Sequence, residues 1–231
     1  MESEKRNMEY GMKRELQNWR SVFLIACLLM PAAAARADRD LDFKLFAAAK
    51  DGRSAEVQAL LEGGAQLNAR NRLGETPLLL AIQGGHVESA LALIERGADV
   101  NKASLRQIAP LHAAVYRQDE ALVQVLLARG ADVTAVDNTQ KGAICYAAAE
   151  GKVNIVRLLL DGGVGVNAVY GNDLTALMWA AGYGQTEVIK LLLGRGADPT
   201  LRDNRGQTAA EMAEQGGHAD AAGLLRSVAV R

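Results

Sequence analysis

Three histidines, two cysteines and one glycine-rich stretch are the residues here whose types suit catalysis or metal binding. His86, His112 and His218 could serve as bases or metal ligands only with partners at fixed spacing. The chain has no His-Glu-x-x-His, no paired cysteines and no clustered acidic loop, so no ligand set for a metal is expected. Gly162-Gly163-Val164-Gly165 imitates a phosphate-cradling loop but lacks the lysine and any preceding strand. Cys145 would need a lowered pKa to act as a nucleophile, and a buried, inert thiol is the expectation. No nucleophile, base and orienting acid can be assembled from these parts. The expectation is a protein that is not an enzyme and takes no cofactor, metal or small-molecule substrate.

Composition narrows the remaining classes. The 231 residues carry 26 Lys+Arg against 27 Asp+Glu, and a net charge of −1 gives no reason to bind nucleic acid or anionic lipid. At 49% apolar and 4% aromatic, the chain is too apolar for disorder, and its alanines and leucines suit closely packed helices.

Residues 1–37 stand apart. A charged stretch ends at Arg20, Val22 to Met30 is uncharged, and Pro31 precedes Ala32-Ala33-Ala34-Ala35-Arg36-Ala37. A basic start, a short apolar centre and an Ala-x-Ala end predict a secretory signal peptide cleaved after Ala37. Nine apolar residues are too few to span a bilayer, which takes roughly 20. Glu2, Glu4 and Glu9 dilute the positive start, and counting from Met12 gives a cleaner leader. Leu24-Ile25-Ala26-Cys27 also resembles a lipobox, which would leave Cys27 lipidated, although the apolar run continues past it. Cleavage after Ala37 leaves residues 38–231, with 20 basic and 23 acidic residues and Cys145 as the one thiol.

An internal period settles the architecture. Phe43, Thr76, Ala109, Gly142, Thr175 and Thr208 lie 33 residues apart without insertion or deletion. Five positions on, every copy has alanine (Ala48, Ala81, Ala114, Ala147, Ala180, Ala213). Seventeen on, every copy has leucine (Leu60, Leu93, Leu126, Leu159, Leu192, Leu225). Twenty-one on, glycine recurs at Gly64, Gly97, Gly130, Gly163 and Gly196, failing only at Ala229. Each copy predicts two short helices. Thr76-Pro77 offers a hydroxyl cap and a first-turn proline, Gly84-Gly85 a left-handed stop, and a second helix runs roughly from Glu88 to Glu95. Helices this short are unstable alone and must bury their apolar faces on neighbouring copies.

On these residues the chain resembles the ankyrin-repeat family, and exported bacterial members in particular. Gly74-Glu75-Thr76-Pro77-Leu78-Leu79, Gly97-Ala98-Asp99-Val100-Asn101, Ala109-Pro110-Leu111-His112 and Thr175-Ala176-Leu177-Met178-Trp179-Ala180-Ala181 carry the likeness. It implies an all-α solenoid over 38–231, with units near 41–71, 72–104, 105–137, 138–170, 171–203 and 204–231. The end units diverge, with Asp38-Arg39-Asp40 before the first, and Glu214 and Arg226 in the last, and are expected to act as polar caps. The three histidines fall where the family pattern places histidine, which implies hydrogen bonding at helix turns. The fourth unit is the weakest inner copy: Gly142-Ala143 replaces Thr-Pro, and Gly165 stands where others have Asp99, Asp132 or Asp198. Losing a cap costs roughly 1 kcal/mol, so opening is expected near residues 136–146.

The resemblance also implies where a partner would lie, along the concave face made by hairpin tips and first helices. Tips are ordinarily polar, so Leu105, Ile108 and Leu174 are out of character. With Tyr116, Arg117, Tyr146, Tyr170, Trp179 and Tyr183 they would line copies three to five as a protein-binding patch. Tyr146 and Trp179 stand four residues past the unit origin, a spacing that equally suits partial burial between helices. The function expected is a monomeric, non-enzymatic protein-binding module exported to the bacterial periplasm. Two other readings stay open: a secreted effector, and an accessory scaffold for an envelope redox enzyme.

Overall fold

The computed structural model describes residues 40–229. The expected leader at 1–37, the cleavage after Ala37, the start at Met12 and the alternative lipid site at Cys27 lie outside the described residues.

Six helix pairs follow one another. They are α1 (40–50) with α2 (Ser54–Glu62), α3 (Pro77–Gly84) with α4 (Val87–Glu95), and α5 (Pro110–Tyr116) with α6 (Glu120–Ala128). Then come α7 (Ala143–Ala149) with α8 (Val153–Asp161), α9 (Ala176–Gly182) with α10 (Thr186–Gly194), and α11 (Ala209–Gln215) with α12 (Ala219–Ala229). The chain is an all-helical solenoid; among the described residues the extended pairing is one isolated bridge, Val136 with Gly142. No helix of the described residues is long and apolar enough to cross a membrane.

Local chemistry sets the helix ends. The Thr76, Thr175 and Thr208 hydroxyls accept from the backbone N–H three residues on, and Glu211 completes a capping box with Thr208. Ala109 and Gly142 give no such bond. Gly85 ends α3 at φ 77°, where no Cβ opposes the left-handed turn.

The recurring small and large residues build the core. All six alanines of the first column are 0% exposed, and so are five of the six leucines, Leu60 at the N-terminal end being half-buried. First helices pack on first helices from α3 to α11, and α8 on α6 and α10 in the outer row. Ala147 is therefore wedged between neighbours, and a larger side chain there would overpack by about 1–3 kcal/mol. The end units are mixed rather than uniformly polar. Glu214 bonds Arg226, but Phe43, at the threonine position of the first unit, is 72% exposed.

Hairpins join the units in a ladder. The same backbone bond closes each one: Asn71 to Glu75, Ser104 to Ile108, Asp137 to Lys141, Tyr170 to Leu174 and Asp203 to Gln207, N to O, at 2.9–3.0 Å. Side chains of Asn71, Asp137 and Asp203 accept from backbone N–H groups two and four residues on, holding their tips open. Tyr170 cannot do this. Its tip tightens into a 3-10 turn at Gly171–Asp173, and Gly171 bonds the Gln140 carbonyl, one position out of register with the other tips.

A second set of bonds ties the outer turns. Asn68, Asn101 and Asn167 accept from the Asp99, Asp132 and Asp198 N–H of the following unit at 2.7–2.9 Å. Between the third and fourth units this bond is missing, because Thr134 replaces the asparagine acceptor and turns its hydroxyl back on Asp132. The stretch 136–146, in which opening was expected, is by contrast held by the Asp137 bonds just described. The structural gap in the fourth unit therefore lies at the outer turn, around residues 162–168.

Candidate functional site

First helices α3, α5 and α7 and the hairpins before α5 and α7 leave a groove of about 360 Å³ on the inner row. Ile108, Tyr116, Arg117 and Tyr146 line it, joined by Gln83, His112, Ala113 and Asp137. Tyr116, the last residue of α5, is 76% exposed at the groove's edge. Arg117 lies across Gly85 of the preceding unit, where any Cβ would collide with the guanidinium.

The groove floor is a built polar contact. Tyr146 donates its hydroxyl to Asp137, whose other oxygen accepts from Thr139 N (2.8 Å), Thr139 Oγ1 (2.7 Å) and Lys141 N (3.1 Å). Burial works against the Asp137 charge, but these donors outweigh it and hold the carboxyl below its ordinary range. Burial, aided by the Asp137 contact, pushes the Tyr146 phenol up to about 12.

From Tyr146 the surface continues toward the fifth unit. The Lys141 ammonium sits 5.7 Å from the Tyr146 ring centre and 4.8 Å from that of Trp179. Trp179 in turn stacks on Tyr183, at 6.3 Å between ring centres and 21° between planes. Tyr183 is 58% exposed, whereas the Trp179 Nε1 is buried without a partner among the described residues.

Three of the patch residues expected from sequence stand elsewhere. Leu105 is 72% exposed on its hairpin tip, beside Gly74, outside the groove lining. Tyr170 and Leu174 are half-buried and pack on the core, with the Tyr170 ring covering Gly142. Burial raises the Tyr170 phenol well above its usual range. The Tyr170 ring thus fills the space left by the glycine at the unit origin. The half-buried alternative for Tyr146 and Trp179 also holds, since both pack partly on the core while facing Lys141.

The reactive side chains are taken up by structure. His112 Nε2 donates to the Lys141 carbonyl (3.3 Å), its Nδ1 is buried unpartnered, and burial lowers its pKa. His218 bonds the Gly182 carbonyl at 3.2 Å, and Gln185 reaches Ala149 from the equivalent position. His86 packs against Gly52 and Gly84. Cys145 is 1% exposed, and burial pushes its thiol up to about 12, too high for a thiolate at neutral pH.

The sequence patch left out Lys141 and Asp137. The signal for Asp137 was its place in the column Asn71, Ser104, Asp137, Tyr170, Asp203, four residues before a tip's closing carbonyl.

A family model described as ankyrin repeats, in three copies, matches residues 23–104, 111–203 and 144–229. A crystal structure of an ankyrin repeat domain from Acinetobacter baumannii AYE is 30% identical, covering 80% of this chain and 97% of that one, with a TM-score of 0.74. No curated protein sequence matches.

Proposed function

Because the chain belongs to the ankyrin-repeat family, whose members typically act by binding other proteins without catalysis, we propose that it is an exported adaptor whose concave face receives a protein in the bacterial periplasm. The observation that supports the face is the run Tyr116, Tyr146, Lys141, Trp179 and Tyr183, which joins the groove to an exposed aromatic stack. Tyrosine, tryptophan and arginine anchors of this kind carry most interface energy, and a repeat scaffold presents them with little ordering cost. Export rests on the leader sequence ending at Ala37.

One experiment tests the face. A photoreactive residue at Tyr183, activated in intact cells and read by mass spectrometry, should capture an envelope protein. The same residue placed at Arg157, on α8 of the outer row, should not. Equal capture from both positions overturns the reading. Sequencing the N-terminus of the periplasmic fraction should return a chain that begins at Asp38.

A further inference from the structure

We propose that the groove takes an extended acidic segment of the partner, with one apolar side chain seated between Ile108, Tyr116 and Tyr146 and carboxylates over Arg106, Arg117 and Lys141. The inference rests on the concave-face reading and adds the chemistry of what binds there.

Charge is distributed unevenly over the solenoid. In the outer row Arg96 pairs with Glu62, Arg195 with Asp161 and Lys190 with Glu187, and Arg129 bonds the Ile94 carbonyl, while Arg157 stands alone without an ion pair to a described carboxylate. On the inner side Arg72, Arg106, Arg117 and Lys141 make no ion pair with a described carboxylate, although the chain from Asp38 on has more acidic than basic residues. The inner acids offset them only in part: Asp137 is ionised at the groove floor, but its oxygens are turned to Tyr146, Thr139 and the Lys141 N–H rather than to a cation, Glu75 is held by Asn71, and Glu150 and Asp173 are exposed.

The position of these cations sharpens the point. Arg117 lines the groove and is braced over Gly85, and Lys141 is fixed between the Tyr146 and Trp179 rings. Fixed cations beside apolar walls favour an opposing carboxylate more than mobile surface lysines would. The volume is at the small end of ligand cavities, about 300–1,000 Å³ in general, and suits one or two side chains rather than a folded domain. A cationic ligand would meet Arg117 and Lys141 at like charge.

The test is a phage-displayed random dodecapeptide selection on residues 38–231, with recovered peptides measured by fluorescence anisotropy. Recovered peptides should be rich in Asp and Glu around a single Leu, Phe or Trp. Binding should weaken as salt rises, and fall roughly tenfold or more in R106E/R117E. Both arginines are exposed, so that variant should melt like the parent; R157E on the outer row is the charge control and should bind normally. Basic or uncharged peptides, an empty selection, or full binding to R106E/R117E each overturns the proposal. So does a self-associated chain in sedimentation that R106E/R117E dissolves, since the occupant is then a second copy. If crosslinking from Tyr183 still captures a protein in any of these cases, the concave-face reading stands and the acidic segment alone is lost.

Discussion

The Tyr146 hydroxyl donates to the Asp137 carboxylate, tying helix α7 to the hairpin that leads into it. This bond is a second anchor for a helix that lacks the threonine cap, since Gly142 has no side chain to bond the start of α7. Removing it with Tyr146→Phe should cost about 1–2 kcal/mol. Asp137→Ala should cost more, about 2–4 kcal/mol, because the Thr139 and Lys141 N–H groups lose their acceptor as well. Urea unfolding at neutral pH measures both, and the order of the two is the firm part of the expectation.

Acid should weaken the fold first through His112. Burial lowers its folded pKa below the ordinary 6.5, so its contribution is complete above that value and is lost as pH falls through it toward the folded pKa. Asp137 has the same sign, but its loss begins only below its ordinary 3.8. Comparing urea midpoints at pH 7.5 and 5.0 should show a fall in the parent. His112→Gln should reduce that fall while lowering the midpoint at both pH values.

Three glutamines, Gln107, Gln118 and Gln140, stand where their columns also carry glycine, and the first two are the simplest to test. Gln118 has φ 60° in register with Gly52, Gly85, Gly151, Gly184 and Gly217, and Gln107 has φ 59° in register with Gly74 and Gly206. An L side chain in this region is strained, and both residues are exposed. Gln118→Gly and Gln107→Gly should each raise stability by about 0.5–1 kcal/mol. A thermal melt that drops for either would mean the side chain contributes contacts that outweigh the strain.

The third and fourth units lack the asparagine bond that joins their neighbours. Thr134→Asn, paired with Gly165→Asp to restore the usual turn, should add about 1 kcal/mol. Hydrogen exchange in the parent should run faster at residues 162–168 than at the corresponding turn of the fifth unit, where Asn167 is bonded to Asp198.

Exposed aromatics should separate binding from folding. Tyr116→Ala and Tyr183→Ala should weaken capture of the partner and leave the melting curve in place, because both rings are mostly in water. Leu174→Ala and Tyr170→Ala should lower the melting temperature, since these side chains pack on the core. Paired melts and affinity measurements on the four variants check this division.

The repeat was legible because it is written in side chains that do one job in every copy. Alanine at the helix crossing, leucine in the outer helix and threonine at the cap recur at fixed spacing, and the helices fall where those columns put them. The patch was legible only in part. Tyr116, Arg117, Tyr146 and Ile108 line one groove, while Trp179 and Tyr183 join it through Lys141. Leu174 looked out of character for a tip although it packs on the core, and Tyr170 was read as part of the patch although its ring covers Gly142 one unit earlier, a position 28 residues away that period alone does not reveal. The missing outer-turn bond was likewise hidden, since it joins an asparagine side chain to a backbone N–H of the next unit, and that donor leaves no mark in the residue types.

The groove between α5 and α7 straddles the one inner junction where the asparagine rivet is absent. Anything that grips both of its walls therefore staples two half-solenoids across their softest seam. Occupancy would then be audible far from the contact itself, as a stiffer array that melts later and exchanges more slowly, so a label-free thermal shift could find the missing companion before any pull-down does.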